Sequence, residues 1–301
     1  MSFLEKFETV TVMADNRLTE ADRAFCEAHQ EAYESARRAI QELRCIWADI
    51  EATQKELRSE ADAMLPGSFS YVTEYKTLSI SDTKIKDQLL LLPCRFISNL
   101  TRYFNHTYHI SISVDQIQRA LLPEKPESRR FREGDEEVAE YEAALLTVKL
   151  SYSTILEQIL AQMDGRSFEE QAFHELRKKC HEAAWWNSGG PKFERRKDTI
   201  TFSDYACSFV DSYRAEHWEL RDFIKTILQG IAHYETGDFS ILPMGFSELL
   251  GYRITRGPVL DFPTCTKLKQ IKLFKKGRID MKFSSEQAAV DFITTYLGAV
   301  Y

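Results

Sequence analysis

The chain has 301 residues, of which 44% are hydrophobic and 28% charged, which is typical of an ordinary packed protein. Its 12 glycines and 8 prolines are too few for a collagenous, linker-rich or low-complexity chain. The net charge of −7 argues against nonspecific binding of nucleic acid over the whole surface, because proteins that wrap phosphate backbone are normally basic. A local basic patch stays open.

The cysteines and the apolar runs indicate a cytoplasmic protein with reduced thiols. No two of the six cysteines lie within ten residues of each other, so the sequence has no CxxC zinc or redox element. The first ten residues carry Glu5 and lack the long apolar core of a signal peptide. The longest apolar run, Leu89–Pro93, is far shorter than the roughly 20 residues that span a bilayer. If a phage encodes the chain, we expect it in the host cytoplasm.

The N-terminal segment, 1–66, is predicted to be one long helix or a helical hairpin. Residues 19–65 contain neither Gly nor Pro, and Thr19 and Asp22 are typical of a helix start. Apolar residues recur at steps of three and four, which predicts about 70 Å of helix if it is unbroken. Packing in an antiparallel bundle is favoured over reaching out to a partner, because many positions of the apolar stripe are alanine.

A mixed segment, 67–123, and a charged linker, 124–134, follow. The predicted elements of the mixed segment are, in order, a hairpin or ragged strands over 68–81, a helix over 89–104, a β-like stretch over 107–113 and a helix over 114–122. The run 123–134, which contains this linker, is doubly punctuated by proline and poor in apolar residues.

The last segment, 135–301, is predicted to be a helical domain that ends in a β-hairpin and a helix. Its predicted elements are helices over 136–163, 167–185 and 204–234, a strand or hairpin over 192–202, a β-hairpin over 271–283 that turns at Gly277, and a last helix capped near Ser284. The whole chain is therefore predicted to be α+β and predominantly helical, with small β-hairpins and a C-terminal ββα unit.

The specific motifs of catalysis are absent from the sequence. It contains no GxxxxGK[ST], GxGxxG, HExxH, GxSxG or HxE…PCxxC motif, and no Asn/Asp-Pro-Pro-aromatic loop. We therefore expect a protein that is not an enzyme and that holds no cofactor or metal. Three residue groups keep a metalloenzyme or nuclease open beside ordinary core or surface roles: His106 with His109; His174 with Cys180 and His181; and Asp280 with Lys282, which matches half of a nuclease motif.

Two adjacent indoles are the strongest candidates for protein binding. Trp185 and Trp186 come at the end of a predicted helix and beside the loop 187–191, and Phe193 follows. Adjacent helical residues point about 100° apart, so the two indoles cannot both be central on the buried stripe. At least one is predicted to be exposed in the free chain and buried against another chain in the functional assembly, since Trp is enriched among interface hot spots. The alternative is that the indoles close the core.

Two basic clusters are candidates for anion recognition. The first lies directly after the indoles and comprises Lys192, Arg195, Arg196 and Lys197, for which a solvated turn is the alternative. The second lies on the terminal hairpin, and its predicted nucleic-acid-binding residues are Lys272, Lys275, Lys276 and Arg278. Alternation places lysines on the face away from Ile271, where charge also protects an edge strand from aggregation.

The terminal hairpin and helix resemble a known family. The run from Ile271 to Phe283, with the following SEQAAVDF and Tyr296–Gly298, resembles the C-terminal signature of a domain-of-unknown-function family of phage and plasmid proteins. Some members of that family are attached to an adenine DNA methyltransferase. The stretches 91–107, 167–172 and 200–202 look similar as well. In size and general character the chain also resembles phage anti-defence proteins such as the Gabija anti-defence protein.

The resemblance implies a mobile-element protein that acts by binding. We expect a non-enzymatic protein, a homo-oligomer, that binds and inhibits a host anti-phage defence complex of the nuclease or ATPase type. The alternative is a nucleic-acid-binding accessory protein associated with DNA modification, which uses the lysine-rich hairpin.

Overall fold

A computed structural model describes residues 18–64, 81–126, 136–203, 205–211 and 216–298. The chain divides into two compact units, Met1–Ser167 and Phe168–Tyr301. The predicted division into four segments stays a prediction, because residues 127–135, which hold most of the expected linker, lie outside the described part. The strands expected within 68–81 fall there too, apart from Ser81.

The N-terminal unit contains one unbroken helix of 45 residues, α1 (Glu20–Met64). The predicted start is confirmed: the Thr19 hydroxyl accepts a hydrogen bond from the Asp22 backbone N–H at 3.1 Å and donates to the Asp22 carboxylate at 2.6 Å. This reciprocal pair satisfies backbone donors that have no partner inside the helix.

Four further helices complete the described part of this unit: α2 (Asp82–Tyr108), α3 (Val114–Leu121), α4 (Glu136–Thr147) and α5 (Tyr152–Ala161). Helix α2 runs antiparallel to the first half of α1. Its start is joined to α1 by the Arg44–Asp82 ion pair at 2.8 Å, and near its end Tyr103 donates to Asp22 at 2.8 Å. Phe25 of α1 also stacks on the Tyr103 ring, with ring centroids 3.7 Å apart.

Two local predictions for this unit are wrong. The stretch 107–113 is not a strand, because the Asn105 side chain bonds both the N–H and the C=O of Ile112 at 2.8 and 3.0 Å. The helix expected over 136–163 is two helices. Ser151 caps α5, and Arg37 donates to the carbonyl oxygens of Leu146 and Val148, which satisfies acceptors that the break releases.

The C-terminal unit places helices on one face of an antiparallel sheet. Its strands are β1 (Phe193–Arg196), β2 (Thr199–Phe202), β3 (Cys207–Val210), β4 (His217–Leu220), β5 (Val259–Asp261), β6 (Leu268–Leu273) and β7 (Ile279–Phe283). Its helices are α6 (Phe168–Ala184), α7 (Asp222–Thr236), α8 (Phe246–Leu250) and α9 (Glu286–Phe292), which continues into a π-helical turn over Ile293–Leu297.

The main sheet has the strand order β1-β2-β7-β6-β5, and β3 and β4 form a separate hairpin. One face is buried under the helices and carries an apolar row that comprises Ile200, Met281, Ile271 and Leu260. The opposite face carries polar and charged side chains at the alternate positions. This alternation is typical of an antiparallel sheet with one face in the core and one in solvent.

The helix expected over 204–234 is wrong in its first half. Residues 207–210 and 217–220 form β3 and β4, in which Phe209 and Trp218 are cross-strand neighbours with ring centroids 4.9 Å apart. Helix α7 begins only at Asp222. The hairpin docks on the turn of β6 and β7, where the Ala206 N–H donates to the Gly277 carbonyl at 2.8 Å. This long-range contact overrides the local helical spacing.

The fold class is confirmed: the protein is α+β and predominantly helical, with a long N-terminal helix and a C-terminal ββα unit. The hairpin expected over 271–283 is β6–β7, and Gly277 has the positive φ of 88° that its turn requires. The Ser285 hydroxyl caps α9 by accepting from the Ala288 N–H at 3.1 Å. No helix within the described ranges combines the length and the apolar character that a membrane span needs.

Candidate binding site

Trp185, the first indole, is held against the core of the C-terminal unit. It follows the last residue of α6, and its Nε1 donates to the Leu297 carbonyl at 2.7 Å. The His181 ring lies 5.4 Å away, and His181 Nδ1 donates to the same carbonyl at 3.0 Å. Trp185 therefore links the end of α6 to the π-helical turn over Ile293–Leu297. This is a core role, which is the alternative to protein binding that the sequence left open.

Trp186, the second indole, exposes 49% of its surface. Its backbone is nevertheless fixed: its N–H donates to the Gly190 carbonyl at 2.8 Å, and its carbonyl accepts from the Gly189 N–H at 2.9 Å. Gly189 has a φ of 93°, a conformation that L side chains rarely adopt. The exposed indole is thus presented by a closed, hydrogen-bonded loop, and its binding to another chain stays a prediction.

Lys192 contacts the exposed indole of Trp186. Its Nζ lies 5.1 Å from the Trp186 ring and 5.1 Å from the Phe223 ring, and it donates to the Ala183 carbonyl at 2.9 Å. Burial lowers the pKa of Lys192. An ammonium with these contacts stiffens the loop by cation–π attraction and is not presented to an external anion.

The rest of the first basic cluster is largely neutralised. Arg195 pairs with Glu286 at 2.8 Å, and Arg196 pairs with Glu194 at 3.3 Å. Lys197 lies in the turn between β1 and β2 with a positive φ of 54°. These contacts favour the solvated turn that stood as the alternative to anion recognition.

Phe193, the third predicted contact residue, is partly buried. It lies on the edge strand β1 opposite Phe202, with ring centroids 6.0 Å apart, and it packs against the core. Of the predicted protein-binding residues, Trp186 therefore presents the most exposed indole or phenyl side chain, whereas Phe193 and Trp185 pack against the core of the same unit.

The second basic cluster surrounds an aromatic side chain that the sequence prediction missed. Arg278 stacks on Phe274 with its guanidinium carbon 3.9 Å from the ring centroid, and the Nζ of Lys272 lies 5.2 Å from the same ring. Lys275 lies 4.0 Å from the Phe209 ring on β3, and Lys276 is exposed. The interleaving of lysines and phenylalanine in KLFKK was the available signal for Phe274.

Positive charge is concentrated at the turn of β6 and β7, whereas the open face of the main sheet carries both signs of charge. On the open face Lys282 lies 4.0 Å from Asp198, and Arg278 pairs with Asp280 at 3.0 Å. Asp280 also accepts a hydrogen bond from the Thr201 hydroxyl at 3.0 Å. A phosphate backbone laid across this face would meet carboxylates as well as ammonium groups, so the open face is a poor anion-binding surface.

The three groups considered for catalysis have other contacts. Cys180 is fully buried, and burial raises the pKa of its thiol to about 12, which is unsuited to a thiolate ligand or nucleophile. Asp280 is bonded as described above, and His109 ends α2 in the left-handed conformation. Within the described ranges, no group of three or more His, Cys, Asp and Glu side chains is placed to hold a metal ion.

A second apolar surface had no counterpart in the sequence predictions. A cavity of about 290 Å³ lies beside the edge strand β5 and is lined in part by Met244, Leu249 and Val259. Met244 and Val259 expose 71% and 42% of their surfaces, and the nearby Tyr252 exposes 71%. Single exposed apolar residues occur in most proteins, so a pattern-based prediction had no means to identify this group.

Comparisons with family models, with curated proteins and with solved structures found no match to this chain.

Proposed function

We propose that this chain is a non-enzymatic phage or mobile-element protein that binds and inhibits a host anti-phage defence complex, and that it does so as a homo-oligomer. The defence context rests on the resemblance of the C-terminal hairpin and helix to phage and plasmid proteins. A binding mode of action is supported by the single observation that follows.

The observation that carries the proposal is the exposed indole of Trp186. The backbone of Trp186 is held by the loop closed through Gly190, and the ammonium of Lys192 lies 5.1 Å from the indole ring, both of which restrict the motion of the side chain. A rigid aromatic anchor loses little conformational entropy on binding, which is the property of interface hot spots.

A pair of adjacent substitutions tests this proposal. Trp186→Ala is expected to weaken binding to the captured complex by roughly thirtyfold or more, equivalent to about 2 kcal/mol. Its melting temperature should stay close to that of the native chain. Trp185→Ala is the matched control, because it removes the same side chain one residue earlier at a site bonded to Leu297, and it should lower the melting temperature.

The complex is obtained by co-purification of the tagged chain from bacteria that carry a defence nuclease or ATPase. Loss of the defence phenotype together with a Trp186-dependent complex supports the proposal. Recovery of no defence protein, or a complex unaffected by Trp186→Ala, contradicts it.

The alternative function, binding of nucleic acid, is favoured by the turn of β6 and β7. Arg278 and Lys272 lie around the Phe274 ring. The turn therefore brings together the positive charge and the aromatic side chain with which proteins bind single-stranded nucleic acid. Lys275→Ala with Lys276→Ala should reduce both the affinity for an oligonucleotide and the steepness of its salt dependence. Absence of binding at low salt by the native chain eliminates this function.

A further inference from the structure

Five large apolar side chains form an exposed row along the second half of α1. They are Leu43, Ile46, Ile50, Leu57 and Met64, which expose 42%, 57%, 40%, 52% and 82% of their surfaces. Ile46, Ile50 and Leu57 line a shallow, open depression in the surface of α1 itself. Such a run of exposed apolar residues on one helix is uncommon in a folded monomer.

The exposed row borders the face of α1 that packs inside the N-terminal unit. Trp47 is 4% exposed although its neighbour Ile46 is 57% exposed, and Arg44 pairs with Asp82 at the start of α2. Residues 51, 54 and 61 continue the half-buried face. The side chains of the row expose 40–82% of their surfaces, so the contacts among the described residues of this unit leave much of the row uncovered.

The spacing of the row is that of a coiled coil. From Leu43 the steps are three, four, seven and seven residues, and Thr53 and Glu60 occupy the two skipped positions. This is a strict heptad in which Leu43, Ile50, Leu57 and Met64 are the a positions and Ile46, Thr53 and Glu60 the d positions. A repeat of 3.5 residues keeps one seam facing a like helix, whereas a straight helix against a globular core follows 3.6.

We infer that the exposed row binds the same row of a second copy of this chain as a parallel, in-register, two-stranded coiled coil over residues 43–64. In that register the four a positions form four apolar layers. The seam is about 33 Å long at 1.5 Å per residue.

The charges at the g positions favour the parallel orientation. The g positions of the seam are Asp49, Glu56 and Ala63, and the e positions are Trp47, Gln54 and Ala61. Parallel helices place each g residue beside the e residue of the partner copy, so both carboxylates meet uncharged side chains. An antiparallel pair would place Asp49 of one copy beside Glu56 of the other, and like charges repel.

The d positions make the pair reversible. Thr53 and Glu60 interrupt the apolar seam, and in-register helices bring two Glu60 carboxylates together.

The inference deepens the homo-oligomer part of the proposed function and requires no defence complex, because it concerns contacts between copies of this chain alone.

The first experiment is sedimentation velocity of the full chain at increasing micromolar concentration, with two matched lysine variants. The native chain should shift from 34.9 kDa towards twice that mass. Ile50→Lys should remain a monomer, because it places a charge in the seam. Ala48→Lys adds the same charge at an exposed f position and should dimerise like the native chain. A monomeric native chain, or an Ile50→Lys variant that still dimerises, overturns the inference.

The second experiment tests the seam by strengthening it and by fixing its register. Glu60→Leu is expected to tighten the dimer by roughly tenfold to a hundredfold, because it replaces facing carboxylates by a buried apolar pair. In a Cys45→Ser background, Ile50→Cys should form an intermolecular disulfide on oxidation, since equivalent a positions adjoin only in the parallel register. No tightening, or a dimer without that crosslink, contradicts the proposed geometry.

The outcomes separate this inference from the proposed function. If Ile50→Lys is monomeric and still captures the defence complex through Trp186, the coiled coil exists and inhibition does not depend on it. If the native chain dimerises through the seam and captures no complex, the coiled coil holds and the proposed function fails.

Discussion

The two units keep their helices together by different means. In the N-terminal unit, α1 is attached to its neighbours by polar groups: the buried carboxylate of Asp22 accepts from Thr19, Tyr103 and Tyr108, and Arg37 donates to two backbone carbonyls. In the C-terminal unit, the sheet and helices enclose a core of aliphatic and aromatic side chains that includes Phe283 and Phe292. The comparison teaches that directional bonds, together with buried side chains such as Tyr33 and Trp47, position the long helix, whereas shape complementarity positions the sheet.

The largest effect is expected from a cavity in the apolar core. Phe292 is fully buried, with the Phe283 and Tyr296 rings 5.6 and 5.1 Å away. Phe292→Ala should cost about 3–5 kcal/mol of unfolding free energy, and Phe292→Leu clearly less, because it leaves a smaller void. Calorimetry measures the loss, and hydrogen exchange should place it in residues 168–298. Equal increases in hydrogen exchange in both units would contradict the expectation that the loss of stability is confined to residues 168–298.

A smaller loss is expected from the polar centre of the N-terminal unit. Asp22→Ala leaves the hydroxyls of Thr19, Tyr103 and Tyr108 without their acceptor, which should cost about 1.5–3 kcal/mol. Asp22→Asn keeps a carbonyl acceptor and should cost less. Hydrogen exchange of α1 and α2 is the measurement. Faster exchange in the sheet and not in these helices would show that the polar centre is dispensable.

The close approach of α6 to α7 is expected to give an effect of about 1–3 kcal/mol. A Cβ on Gly230 would lie 2.6 Å from Cys180 Sγ, closer than real contacts permit. Gly230→Ala should therefore lower the melting temperature. Adding Cys180→Ala removes the obstructing sulfur and should restore part of the loss, a coupling that a double-mutant cycle measures. Additive losses would show that Gly230 is needed for another reason.

The smallest expected effect is the dependence of the polar centre on pH. Burial of Asp22 acts to raise its pKa, but hydrogen bonds from Thr19, Tyr108 and Tyr103 together hold that pKa below its ordinary value. A carboxyl whose pKa is lower in the folded chain contributes stability above its unfolded pKa and loses it as the pH falls. The melting temperature of the N-terminal unit should therefore fall in acid more steeply for the native chain than for Asp22→Asn.

The alkaline side has the opposite sign. Burial, with the hydrogen bond to Asp22, raises the pKa of Tyr103 to about 12 and that of Tyr108 further. The phenols stabilise the fold below their unfolded pKa near 10 and lose that contribution as the pH rises further. Parallel pH profiles for Tyr108→Phe and the native chain would contradict this assignment.

The sequence by itself determined the elements whose signals are local. The capping pair of Thr19 and Asp22 marked the start of α1, and the alternation around Gly277 predicted the hairpin and the ββα unit, because caps and tight turns depend on a few adjacent residues. The sequence also led to the expectation that one of the two indoles is exposed, although both follow the end of α6, and the loop closed through Gly190 sets the orientation of Trp186.

Tertiary structure decided the rest. The strands β3 and β4 lie in a segment with helical spacing but pair with each other because they dock on the turn at Gly277. The helix expected over 136–163 breaks where Arg37 donates hydrogen bonds to the freed carbonyls. The charges of the open sheet face cancel only because the register sets Lys282 near Asp198. The apolar period of α1 did not reveal that the apolar side chains of its second half are exposed. Periodicity defines a face of the helix, and only the segments that pack on it decide whether that face is buried.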